Sequence, residues 1–152
     1  GVRRARRNGR SVAHAHLPAA MSLTLAGVVP DPAILPETAL LLPRLPFVPF
    51  APAGSEQLAA AIAQALTDGA PLPGAALLER HGAVAVGEGA GDDEAALTQA
   101  VDRLDLVEVL CRTWRDALLL RAAATALGPE TILRPPDIGP GAPGRGTDRR
   151  KQ

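Results

Sequence analysis

Residues 74–89 read GAALLERHGAVAVGEG, and the way this run divides into elements governs everything around it. Two short apolar runs, GAALLE and GAVAVG, have the length and bounding glycines of strands. They break at Arg80–His81–Gly82. A glycine directly after a histidine lets the backbone turn sharply and clears space beside the imidazole. A histidine at a turn between two strands is a candidate functional group, and the chain has only three histidines.

The other two lie upstream in SVAHAHLPAAM, residues 11–21. SVAHAH reads as a short strand, in which Val12, His14 and His16 share a face at period two. Residues i and i+2 of a strand have α-carbons about 6.5–7 Å apart. Two imidazoles there can lean onto one ion at metal–nitrogen distances of roughly 2.0–2.1 Å. His81 from a distant strand end would complete a three-histidine face with coordination positions left open, a donor set that suits zinc. By spacing alone His-x-His is a weak motif. A hydrogen-bonded polar pair with a separate loop histidine fits the same residues.

Between these stretches the pattern alternates helix and strand. Pro18 suits the first turn of a helix over PAAMSLTLAG, with Gly27 as its stop. VVPDPAILPE is a proline-rich connection. PFVPF is a short strand, demoted to an edge or irregular position by Pro49. PAGSEQLAAAIAQALTDG is a helix with Ser55 as N-cap, an apolar stripe of Leu58, Ile62 and Leu66, and Gly69 at its end. A long helix follows GEGAGDDE. Leu97, Val101, Leu104, Val107, Cys111, Trp114 and Leu118 form its expected seam. Glu108 flanks that seam and is read as a partner of Arg112 at i+4, away from the histidines. The expected division is a domain over 1–127 and a Pro/Gly-rich disordered tail over 128–152.

Composition narrows the function. The chain of 152 residues carries 16 basic and 16 acidic side chains, so no net field favours nucleic acid or an anionic membrane. Five arginines fall within residues 3–10, but no aromatic residue interleaves with them, so base stacking is unsupported. They are read as a solvated helix end. No apolar run approaches the ~20 residues of a membrane-spanning helix. RRARRNGR before LPAAMSLTLAGVV loosely imitates a signal peptide, but AHAH interrupts the join and no small-residue cleavage site precedes Pro30. One cysteine excludes an internal disulfide framework, and a cytoplasmic location is the expectation. GEGAG lacks the Lys and Ser/Thr of a nucleotide loop.

The order of these phrases, over residues 3 to 127, resembles the class II aldolase/adducin family. The resemblance rests on SVAHAHLPAAMSLTLAG, LPFVPFAPAGSEQLAAAIAQAL, ALLERHGAVAVG and the long acidic-start helix. It implies a three-layer α/β/α sandwich around a mixed, largely antiparallel sheet, truncated at the N-terminus. It implies that His14, His16 and His81 hold a catalytic divalent metal, most often Zn2+. It implies cleavage of a small hydroxy-carbonyl or sugar-phosphate substrate through a metal-stabilised enediolate, in homotetramers with active sites at subunit contacts. A pentose-phosphate 4-epimerase-type activity and a non-catalytic adducin-like interaction role are the alternatives. The family's catalytic glutamate precedes the His-x-His pair, and none of the residues before His14 is acidic. The general acid/base is therefore expected upstream of residue 1. Arg80 stands where many members carry Asn, and its side chain is expected in solvent.

Overall fold

The computed structural model describes residues 9–89 and 92–128. These fall into two compact units, one ending at Arg115 and the other beginning at Asp116. In chain order the elements are strand β1 (Gly9–Ala15), helix α1 (Pro18–Leu25), a 3-10 turn (Pro32–Ile34), helix α2 (Pro36–Leu41), strand β2 (Phe47–Val48), helix α3 (Glu56–Thr67), strands β3 (Ala75–Leu78) and β4 (Gly82–Gly89), and helix α4 (Asp93–Leu127). No described helix is long and apolar enough to cross a membrane.

The sheet order is β1-β4-β3-β2. β3 and β4 pair antiparallel as a hairpin, with Leu78 opposite Gly82. β1 pairs antiparallel with β4 over seven residues, from Gly9 opposite Gly89 to Ala15 opposite Ala83. β2 pairs parallel with β3 at the other edge. The sheet is thus mixed and largely antiparallel. The edge position of β2 follows from Pro49, which has no N–H to give a further strand.

Side chains alternate across this sheet and build two separate cores. Ala75, Leu77, Ala83 and Ala85 face Ala19, Ala20 and Leu23 of α1 and Leu104, Val107, Leu110 and Cys111 of α4. Ala76, Leu78 and Val84 face the opposite way, onto Val48, Ala51 and Leu58. Ile62 and Leu66 of α3 pack against that second cluster. Helices therefore cover both faces of one sheet, the expected three-layer α/β/α arrangement.

Local chemistry sets the element ends. The Ser55 hydroxyl accepts from the Leu58 N–H and starts α3. At the end of α1, the Val28 N–H reaches the Leu23 carbonyl and the Gly27 N–H reaches that of Thr24. With Gly27 at φ +71° this is a Schellman closure.

Two sequence expectations need correction. The stretch expected as a proline-rich connection contains the 3-10 turn and leads into α2, which starts at Pro36 in the first-turn position that suits proline. The seam of α4 is also different. Leu97 and Val101 are 51% and 44% exposed, and Leu118 is exposed as well, while Ala96 and Ala100 are fully buried beside Leu104 and Val107. The reason lies in β4. A Cβ at Gly87 would overlap the Ala96 carbonyl oxygen, and one at Gly89 would overlap that of Asp92. The helix backbone lies directly on the strand there, so only alanine fits the buried positions of its first turns.

Candidate metal centre

β1 carries Ala13 and Ala15 toward the α1/α4 core and leaves the Val12–His14–His16 face away from it. His14 sits in the ladder opposite Val84. His16 lies one residue past the strand end, just before α1. The β3–β4 turn delivers His81. Its N–H donates to the Leu78 carbonyl at 3.1 Å, and Arg80 takes up the left-handed conformation at φ 60°. Gly82 at φ +122° completes the turn, and a Cβ there would collide with the Ala15 carbonyl and press on the His16 α-carbon. The glycine after His81 is what lets the two histidine-bearing segments touch.

The three rings converge. Their centroids are 5.0 Å apart for His14 and His16, 4.8 Å for His14 and His81, and 5.1 Å for His16 and His81. One ring nitrogen from each lies within 4.8 Å of the others, a set that could hold a metal ion. Nitrogens about 2.0–2.1 Å from one tetrahedral ion are roughly 3.3 Å apart, so modest side-chain rotation closes the set. His14 Nδ1 is 2.9 Å from the Ala83 carbonyl. A carbonyl only accepts, so Nδ1 carries the proton and Nε2 keeps its lone pair free, as in metal-bound histidines. His81 titrates below its ordinary value, first because burial penalises its charged form and then because the other two imidazoles repel it. A neutral imidazole is the form that binds metal. No carboxylate joins the group among the described residues.

Sequence reasoning missed what holds this arrangement from behind. Leu17 is the N-cap of α1 and supplies no side-chain acceptor, while Pro18 removes one donor. The next two N–H groups, of Ala19 and Ala20, donate to the Glu108 carboxylate at 3.2–3.4 Å. Glu108 does bond Arg112, at 3.4 Å, as its i+4 spacing predicts, but its main contact is three residues from His16. Its side chain is only 12% exposed. The available signal was a helix start without its own cap, together with a lone acid flanking a buried seam. At the other end of α1, the Thr24 hydroxyl accepts from the Arg80 N–H at 3.2 Å.

Arg80 is 54% exposed, yet it is engaged. It pairs with Glu79 at 3.1 Å and lies over the Phe50 ring at 5.2 Å. Glu79 also accepts from the Phe50 N–H at 2.8 Å. That bond first, and Arg80 second, hold its carboxyl below the ordinary glutamate value. Arg10 lies in β1 and pairs with Glu88 at 2.8 Å. The rest of the arginine run lies outside the described residues, as does nearly all of the expected tail.

Residues 2–115 match the Class II Aldolase and Adducin N-terminal domain. The chain belongs to that family. It is similar to the L-fuculose-1-phosphate aldolase of Thermus thermophilus, with 27% identity and a TM-score of 0.62. That similarity covers 78% of this chain and 58% of the aldolase, so the chain spans little more than half of that relative. It shares its fold with YgbL from Escherichia coli, described as a candidate aldolase/epimerase/decarboxylase. Identity there is 23% and the TM-score 0.50, over 67% of this chain and 46% of YgbL. A search of curated proteins returned no match.

Proposed function

We propose that the domain is a metal-dependent aldolase, a carbon–carbon lyase acting on a small ketose phosphate or related hydroxy-carbonyl compound. The observation that carries the reading is the meeting of His14, His16 and His81 in a member of this family. His14 and His16 would hold the ion from the end of β1 and His81 from the β3–β4 turn. We favour zinc, since three imidazoles suit it. When bound, a divalent ion supplies a Lewis acid that lowers the energy of the oxyanion developing on a ketone during carbon–carbon cleavage.

The chain's own residues do the rest. Imidazole binds a metal as an uncharged ligand, so none of the three would offset the charge of a bound dication. The Ala83 carbonyl fixes the tautomer and orientation of His14. The depressed proton affinity of His81 keeps its ring available as a ligand at neutral pH. Proton transfer to and from substrate is assigned to no residue of this chain. A sugar-phosphate substrate is carried over from the similarity to the fuculose-phosphate enzyme, a homotetrameric assembly from the family resemblance, and a cytoplasmic location from the single cysteine.

Metal analysis and turnover test the reading. Purified protein should hold one zinc per chain. His81→Ala should weaken zinc binding by more than the roughly 10–100-fold that follows loss of an outer hydrogen-bond partner. A panel of ketose 1-phosphates should yield dihydroxyacetone phosphate and an aldehyde in a zinc-dependent assay. Bound zinc without turnover on any member of the panel would move the domain to the non-catalytic side of its family. Absence of zinc binding would end the metal reading altogether.

A further inference from the structure

We infer that helix α1 is a strut between the two arms of the histidine triad, and that Glu108 and Thr24, which anchor its two ends, set the metal affinity of the site. The inference rests on the metal-site reading above but concerns residues that touch no ligand. α1 has eight residues, Pro18–Leu25, and a length of about 12 Å. Its start follows His16 through the single buried residue Leu17. Its last turn carries Thr24, whose hydroxyl accepts the N–H of Arg80, the residue before His81. One short rigid rod therefore reaches from the second histidine to the third.

Each anchor is specific. A helix begins with free N–H groups that need acceptors. Here Leu17 and Pro18 leave that need unmet, and a carboxylate from a different helix fills it. Bonds from N–H groups to a carboxylate are charge-assisted, and the positive helix end adds to them. Arg112 holds the outer side of the same carboxylate. Thr24 is buried, donates to the Met21 carbonyl at 3.1 Å and so has its lone pairs aimed outward at Arg80. Arg80 is in a left-handed conformation that a free loop would tend to leave. Releasing either anchor frees one arm of the triad to drift from the other while the sheet ladder under His14 stays intact. Glu108 and Thr24 are positioning residues, because they act through the backbone of the histidine segments.

The test is cobalt or zinc affinity of the folded protein, with the Co2+ visible spectrum as a readout of ligand geometry. Glu108→Ala and Thr24→Val should each weaken binding by about 10–100-fold and alter the spectrum, the size expected for lost outer-sphere support. Glu108→Gln should fall between, since its amide offers one neutral acceptor. Thr24→Ser, which keeps the hydroxyl, should restore the affinity lost in Thr24→Val. Leu58→Ala, in the α3 layer, should cost stability yet leave affinity and spectrum unchanged. If Glu108→Ala fails to fold, the Thr24 pair decides. Wild-type affinity in the anchor variants would overturn the strut while leaving the metal site standing. A wild-type protein that binds neither ion would overturn both.

Discussion

The two ends of strand β4 both depend on glycine, for opposite reasons. At the start, Gly82 sits at φ +122° under the Ala15 carbonyl and lets the β1 end and the β3–β4 turn bring three histidines together. Toward the finish, Gly87 and Gly89 lie under the backbone of α4 and let a helix rest on the sheet without side chains between them. One end makes room for the histidine cluster and the other for packing. The contrast separates what a substitution does to the site from what it does to the fold.

Gly87→Ala should have the largest effect on stability. The new methyl meets helix backbone, which cannot rotate away, at a strand position held opposite Ser11 of β1. Overpacking of this kind costs about 3 kcal/mol. An unfolding free energy from urea titration lowered by that amount, with zinc affinity of the folded fraction unchanged, is the expected result. Gly82→Ala should cost less, about 2 kcal/mol, since a turn can relax more than a clamped strand. It differs in kind, because relaxing that turn moves Ala15 and His16 relative to His81. Zinc affinity should fall by at least about 10-fold in Gly82→Ala. An affinity loss in Gly87→Ala equal to that in Gly82→Ala would erase the distinction between the two ends.

The same contrast explains what could be read from the chain. The site end was legible because its residues announce themselves by type. Histidines at period two, and a histidine followed by glycine, have few equivalents in an aliphatic sequence. The layered fold was legible too, since AALL and AVAV are too short and too apolar for anything but buried strands. The packing end was not. The periodicity of α4 offers Leu97 and Val101 as core, and hydrophobicity alone prefers them to Ala96 and Ala100. What reverses the choice is the missing side chain at Gly87, nine residues before Ala96 in the chain, and no periodicity rule sees a partner's backbone. Glu108 escaped for a related reason. Its i+4 arginine accounts for its charge locally, while its stronger bonds go to a helix start almost ninety residues earlier.

The smallest expected effect reports on the packing end directly. Cys111 is buried on α4 in the same layer as Val107 and Leu110. Burial first, and the nearby Glu108 carboxylate second, push its thiol up to about 12 from the ordinary 9.0. The folded protein therefore keeps a proton that the unfolded chain releases between those values. Its contribution to stability is fully present below pH 9 and declines as the pH climbs toward 12. The chain has no tyrosine, and its one lysine, Lys151, lies near the C-terminus, so few other groups titrate there. Thermal midpoints should fall with rising pH above 9 in the wild type and fall less in Cys111→Ala. Reaction of the native thiol with a disulfide reagent at about pH 8 should be slow, because the reactive thiolate is scarce and covered. Gly87→Ala, which disturbs the seat of α4, should speed that reaction more than Gly82→Ala does. Equal labelling rates in the two variants would mean that α4 does not depend on the close approach at Gly87.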